Sequence, residues 1–454
     1  MPMPEAPLSV DKLKELIGDG SIDTVLVAMT DMQGRLQGKR VTGRYFLDEV
    51  LGHGTEGCSY LLGVDVEMNT VDGYAITSWG SGYGDFVFHP DLTTLRLIPW
   101  HPATAMVLSD LCFLDGSPVP QSPRQILRRQ LERLAALGYA PLMATELEFN
   151  LYKTSYDDLW KSRYADLEPA NNYNIDYSLF GTGLVEPLLR QIRNQMDLAG
   201  LYTETAKGEC NLGQQEIGFK YSDALTTCDN HSVFKLGAKE IAAQHDMSVT
   251  FMAKVNEREG NSCHIHMSLC SLDGRPVFAA EDGDGMSPIM QKFVAGQLAA
   301  MRELTYLFAP NINSYKRYAN GSFAPTAVAW GHDNRTCAVR VVGHGPGLRF
   351  EQRVPGGDVN QYLAASALIA AGIHGLTNDL ELEPATTGNA YELDIPHVPT
   401  TLAESAELFR NSTIAKEAFG AEVVDHYSNA AKVELDAFNA AVTDWERVRG
   451  FERL

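Results

Sequence analysis

Two periodicities run along this chain. Several long stretches repeat apolar residues every three to four positions, and shorter ones alternate apolar with polar residue by residue. The first pattern predicts helices with one buried stripe, the second strands with one buried face. Val10 to Gly18 reads as a helix with Leu13, Leu16 and Ile17 on one side. Asp23 to Thr30 is β-rich and is followed by the turn Met32-Gln33-Gly34 and the basic segment Arg35 to Arg40. Gly52 to Gly57 leads into Cys58 to Val66, and Thr70 to Leu97 alternates short strands with glycine turns. These pieces predict a small mixed α/β unit over residues 1–115.

Gly116, Pro118, Pro120 and Pro123 then cluster and mark a boundary. Ser122 is placed to cap a helix over Pro123 to Leu137, with proline in its first turn and Gly138 beyond its end. Further helices are expected over Pro187–Ala199, Asp229–His245, Ser287–Phe308, Asn360–Leu376 and most of Ile414–Arg449. Strands are expected over Thr250–Val255, Ser262–Cys270, Ala327–Trp330, Thr336–Val342 and Leu348–Val354. Strand pairs separated by helices make residues 116–454 an α+β unit built on an antiparallel sheet.

Three alternating stretches carry chemistry. Thr145-Glu146-Leu147-Glu148-Phe149 alternates acid with apolar, and Ser262 to Met267 alternates His264 and His266 with apolar residues. Glu204 to Phe219 offers Glu204, Glu209 and Glu216 around the turn Asn211-Leu212-Gly213. Residues two apart on a strand share a face, so each pair projects together. Carboxylates gathered without compensation are driven to take up protons, and a divalent cation removes that cost. An oxygen-rich set with one or two nitrogens favours Mg²⁺ or Mn²⁺ over zinc. The alternative is that each acid sits singly on a solvated strand face. A second group is basic: Arg317, Arg335, Arg340, Arg349 and Arg353 surround Glu351. Guanidinium forks bind carboxylate and phosphate bidentately, and beside metal they suit phosphoryl transfer. No phosphate-binding loop of the Walker type is present, and Gly80–Gly84 and Gly343–Gly347 read as turns.

Composition narrows the picture. The 454 residues are 44% hydrophobic and 21% charged, as in ordinary folded proteins, and carry a net charge of −21. That charge argues against nucleic acid or an anionic membrane as partner. Seven cysteines without a C-x-x-C pair read as free thiols of a reducing compartment, with Cys263 and Cys337 as packing residues. Met1 to Pro7 has neither a basic start nor an apolar core, and no window is long enough to span a membrane, so the expected location is cytoplasmic.

The sequence resembles the glutamine synthetase family over nearly its whole length. The resemblance rests on DMQGRLQGKRV (31–41), ATELEF (144–149), GECNLGQQEI (208–217), EGNSCHIHMSL (259–269), NSYKRYANGSFAP (313–325) and WGHDNRTCAVR (330–340), followed by RFEQRVPGGDVNQYL (349–363). It implies a β-grasp domain over 1–115, a catalytic domain over 116–454, and a homo-oligomer, a dodecamer of two hexameric rings with active sites between neighbouring subunits. It also implies roles. Glu148, Glu209 and Glu216 match the ligands of one metal, and Glu146, His264 and Glu351 those of another. Glu204, His266, Ser268 and Arg340 match the ATP-binding positions. Gly260, Arg317 and Arg353 match the glutamate site, and Arg335 the arginine between the transferring phosphate and glutamate.

Two departures bear on the nucleophile. Where glutamine synthetases proper end the flap motif in Glu-Ala-Pro, this chain has Phe323-Ala324-Pro325, and their asparagine before Gly260 is here Glu259. Phenylalanine cannot attract ammonium or accept its proton, but it lines a wall for an alkyl amine. The family's ammonium-site aspartate aligns best with Glu56, and Glu56 or Glu209 is the candidate proton acceptor. The wording is most similar to members that make γ-glutamyl amides. It implies an ATP-dependent ligase acting on glutamate and an amine, with ethanolamine first, polyamines next and ammonium third. The contrasting class is a non-catalytic scaffold. Tyr391, in Asn389-Ala390-Tyr391-Glu392, resembles a modified tyrosine loop of some relatives but reads as an ordinary loop residue.

Overall fold

The computed structural model describes residues 7–280, 285–319 and 321–454. Most of the leader reading at Met1 to Pro7, and Asn320 of the 313–325 segment, lie outside the described residues. Two sheets organise the chain. In the first, strands β1 (Thr24–Thr30), β2 (Leu36–Thr42), β3 (Thr55–Cys58), β4 (Asp85–Leu97) and β5 (Thr104–Cys112) take the order β2-β1-β5-β4-β3. β1 and β5 run parallel, and the other neighbours are antiparallel. β1, TVLVAMT, is buried along nearly all its length because it lies inside this sheet. β2, LQGKRVT, is charged and open, as suits an edge. The short strands expected over Thr70–Leu97 are instead one long strand, β4, which absorbs its polar Asp91–Arg96 stretch as a bulge.

The second sheet contains β6 (Tyr139–Tyr152), β7 (Thr203–Gly208), β8 (Gln214–Phe219), β9 (Ser222–Asp223), β10 (Ser248–Thr250), β11 (Cys263–Ser271), β12 (Trp330–His332), β13 (Val339–Val342) and β14 (Arg349–Gln352). Its main path is β12-β13-β14-β11-β6-β8-β7, with β9 and β10 also paired to β6. All pairs are antiparallel except β12 with β13. The strand expected over Thr250–Val255 lies earlier, with only Thr250 in β10, that expected over 327–330 shifts to β12 and shares only Trp330 with it, and that over 336–342 shortens to β13.

The longer helices are α1 (Val10–Gly18), α2 (Pro123–Ala136), α3 (Glu186–Leu198), α4 (Ala224–Ala243), α5 (Pro288–Phe308), α6 (Gln361–Thr377), α7 (Leu402–Asn411), α8 (Thr413–Phe419), α9 (Ala421–Ala440) and α10 (Asp444–Gly450). α4 begins five residues before its expected start, where Asp223 accepts from the Thr226 amide. The long C-terminal helix is broken at Gly420, whose φ of +91° no helix accommodates. α5 and α6 touch through glycine: a Cβ on Gly296 would lie 2.0 Å from the Ala371 carbonyl oxygen.

The helices cover one face of the second sheet. Odd-numbered β6 residues face them: Phe149 packs on Phe234 of α4, and Thr145 Oγ1 lies 3.1 Å from His231 Nδ1 of the same helix. The even-numbered residues, including Glu146 and Glu148, therefore face the open side. Buried Arg124 of α2 ties the first sheet to α4 by pairing with Asp91 (2.7 Å), Asp110 (2.5 Å) and Asp229 (2.9 Å). The DMQGR turn serves the same junction: Asn360, at the cap of α6, donates to the carbonyls of Asp31 and Met32.

Candidate active site

Strand register lays a row of charged side chains across the open face. Arg340 on β13 stands opposite Glu351 on β14, and Glu351 opposite His266 on β11. His264 of β11 faces Glu146 of β6, Glu148 faces Glu216 of β8, and Glu216 faces Lys207 of β7. Directly opposed residues share a face, so the three alternating stretches of the sequence meet. They line a cavity of about 290 Å³ that also includes Glu209, Glu259, Gly260, Phe323, Arg335 and Arg353.

The row divides into two acid groups. In the first, His266 Nε2 lies 2.9 Å from Glu146, while Arg349 Nε donates to His266 Nδ1 at 3.2 Å. That donation places the imidazole proton on Nε2, facing the carboxylate. His264 Nδ1 lies 3.4 Å from Glu351 and 3.6 Å from Glu146. Glu351 is fully buried and receives Arg340 at 2.9 Å and Arg353. Burial works against ionising Glu146, but hydrogen bonds from His264 and His266 overrule it and hold the carboxyl well below its usual range. Glu351 is likewise held low against its burial by His264 and Arg353. Burial and the Arg353 charge push His264 down to about 4, so it is neutral and available as a ligand.

The second group behaves oppositely. Ligand oxygens of Glu148, Glu209 and Glu216 lie within 4.8 Å of one another. Burial and the neighbouring Glu209 raise Glu148 to about 7, and burial with Glu146 and Glu148 raises Glu216 well above the carboxylate range. Burial also raises Glu209, against the pull of Lys207. Gln214 Nε2 (3.0 Å) and the Ser262 amide (2.7 Å) both donate to Glu148. Three crowded carboxylates short of positive charge are a donor set for a hard cation. The buried Nε2 of His264, with no partner among the described residues, adds a nitrogen donor to the first group. Both groups fit Mg²⁺ or Mn²⁺ on the chemistry of their donors. Glu146 and Glu351, with His264 and His266 beside them, would hold one ion, and Glu148, Glu209 and Glu216 the other.

The remaining expected residues fall into four places. Glu204, His266, Ser268 and Arg349 line a second cavity of about 380 Å³ on the other side of Glu146 and Glu216. Glu204 is thereby separated from Glu209, with which the sequence grouped it, while Glu216 borders both cavities. Arg317 is buried under the first cavity, donating to the carbonyls of Val354 (2.9 Å) and Arg353 (3.1 Å) and to Ser262 (2.9 Å). Glu56 stands exposed on β3 of the first sheet, and lines neither cavity. Tyr391 sits on a short turn with its hydroxyl buried.

Sequence reasoning passed over Asp176, Tyr177, Lys207, Cys210 and Gln214, all of which line the first cavity. Lys207 pairs with both Glu209 and Asp176. Alternation could have found Lys207 and Gln214, each two positions from a chosen glutamate. Asp176 and Tyr177 arrive on a loop, and no periodicity points to them.

Residues 120–449 match the family model of the glutamine synthetase catalytic domain. The chain belongs to the glutamine synthetase family, as its signature segments implied. Gamma-glutamylethanolamide synthetase GlnA4 of Streptomyces coelicolor is 64% identical over 448 residues, spanning 99% of this chain and 96% of its own. Glutamate–isopropylamine ligase of a Pseudomonas species is 38% identical over 445 residues, spanning 96% and 97%. Among solved structures, a GmaS–ADP complex has a TM-score of 0.85 at 26% identity and covers 97% of this chain and 99% of that one. No helix among the described residues is long and apolar enough to cross a membrane.

Proposed function

We propose that this chain is an ATP-dependent ligase joining the side-chain carboxylate of glutamate to a small primary amine, with ethanolamine as the preferred nucleophile. One observation carries the choice of nucleophile. At the cavity mouth, where an acid would serve ammonium, stands Phe323, half exposed and held at a φ of +56° with its carbonyl accepting from Arg353 at 3.3 Å. The apolar ring suits the carbons of an amine. The relatives named for ethanolamide and isopropylamide formation support the same reading.

In this reading the second cavity takes the nucleotide, with His266, Ser268, Glu204 and Arg349 around it, and the phosphates point past Glu146 toward Arg335 and Arg340. Glutamate lies near Gly260 and Arg353 with Arg317 beneath. The glutamates of the two acid groups would hold Mg²⁺ or Mn²⁺, which would supply positive charge against the phosphates. The reaction has two steps. The γ-carboxylate oxygen attacks the terminal phosphorus, the P–O bond to ADP breaks, and γ-glutamyl phosphate forms while Arg335 faces the charge that develops. The neutral amine nitrogen then attacks the carbonyl carbon of the acyl phosphate, the bond from that carbon to the phosphate oxygen breaks, and the nitrogen proton passes to Glu209. Glu56 enters only from a neighbouring subunit, which requires the ring assembly of the family with residues 1–115 as one unit and 116–454 as the other. Coupled ADP release with glutamate and a panel of ethanolamine, putrescine, isopropylamine and ammonium tests the proposal. Ethanolamine should give the highest kcat/KM, and ammonium equal to or above it would refute the specificity. Light scattering tests the assembly.

A further inference from the structure

We infer that Glu259 is a specificity-determining residue, a hydrogen-bond acceptor for the hydroxyl of the amine, an inference that rests on the ligase reading above. Three residues of the first cavity each carry a buried side-chain atom with no partner among the described residues: His264 Nε2, Arg353 Nε and Glu259 Oε2. The first two are a metal-ligand nitrogen and a donor for a carboxylate, and the bound ion and glutamate account for them. Glu259 Oε2 can only accept, so it requires a donor that the protein does not supply. The adenine and ribose donors of ATP stay in the second cavity, which Glu259 does not line, and its phosphates, like the carboxylates of glutamate, are acceptors. The donors on offer are the α-ammonium of glutamate and the polar groups of the amine.

Position favours the amine. The Glu259 backbone is fixed: Asn211 Nδ2 donates to its carbonyl at 2.6 Å, and the same nitrogen reaches Asn256 at 3.0 Å. Cys210, whose sulfur lies 3.7 Å from Asp176, lines the same cavity. Tyr177 and Phe323 line it as well. An amino alcohol here lays its carbons against an aromatic side chain and its hydroxyl on Glu259. An alkylamine of the same length leaves the carboxylate oxygen unpaired, and sites built to bond a hydroxyl reject analogues lacking it.

The test compares wild type, Glu259→Ala and Glu259→Gln for kcat/KM with ethanolamine and with ethylamine at saturating glutamate and ATP. Glu259→Ala should lower the ethanolamine-to-ethylamine ratio by about tenfold or more, the loss of one charge-assisted hydrogen bond. Glu259→Gln should recover part of it, since the amide oxygen still accepts. Turnover of ethylamine by the same preparation shows that the variant is folded. A raised KM for glutamate with the amine ratio intact would assign Glu259 to the α-ammonium and overturn the inference alone. A wild type that does not favour ethanolamine over ethylamine would overturn the substrate reading and this inference together.

Discussion

Replacing Glu148 with glutamine should stabilise the cation-free protein at alkaline pH, although it removes a residue from the reaction centre. The wild-type carboxyl has its pKa raised from an ordinary 4.5 to about 7, by burial and by Glu209. A raised folded-state value means that folding favours the protonated form. This contribution is complete below about pH 4.5 and is lost as pH rises through about 7. The difference corresponds to about 3 kcal/mol at pH 8. Glutamine keeps an oxygen for Gln214 and the Ser262 amide and turns an NH₂ toward Glu209 and Glu216, so it removes the repulsion without orphaning the donors. Melting followed by fluorescence in chelator should therefore show wild type losing stability from pH 5.5 to 8.5 while Glu148→Gln loses less. Saturating Mg²⁺, at a hundred times its dissociation constant, should return about 2.7 kcal/mol to wild type. The variant should gain less. If Glu148→Gln melts below wild type in chelator at pH 8, or Mg²⁺ stabilises both equally, the account of the three-acid group is wrong.

Other outcomes are equally open to measurement. Phe323→Glu should move the ratio of ammonium to ethanolamine turnover toward ammonium by about tenfold, with a stability change within about 0.5 kcal/mol because the ring is exposed. Arg317→Ala strips donors from two buried carbonyls and should cost about 3 kcal/mol or more in denaturant melts, while raising the KM for glutamate. Glu351→Gln leaves Arg340 and Arg353 facing each other without their shared counter-charge, so kcat should fall at least about a hundredfold while ADP binding, followed by calorimetry, is retained.

The sequence determined the chemistry in strand-sized pieces. Alternation in 144–149 and 262–267 put each acid or histidine pair on one face, because side chains on a strand repeat every two residues, and that local rule survives any packing. It determined the family as well, through segments long enough to be specific. It could not say that β11 would lie between β14 and β6, which makes Glu351, His264 and Glu146 neighbours although more than two hundred residues separate the first from the last. Hydrogen-bond partners between strands are chosen by the fold and leave no periodicity behind. For the same reason Glu204, three residues before the Lys207 that faces Glu216, fell to the other cavity, and Asp176 and Tyr177 were found only in three dimensions. Burial and neighbouring charge, both products of tertiary packing, then made one set of carboxylates strongly acidic and left the other in need of a cation.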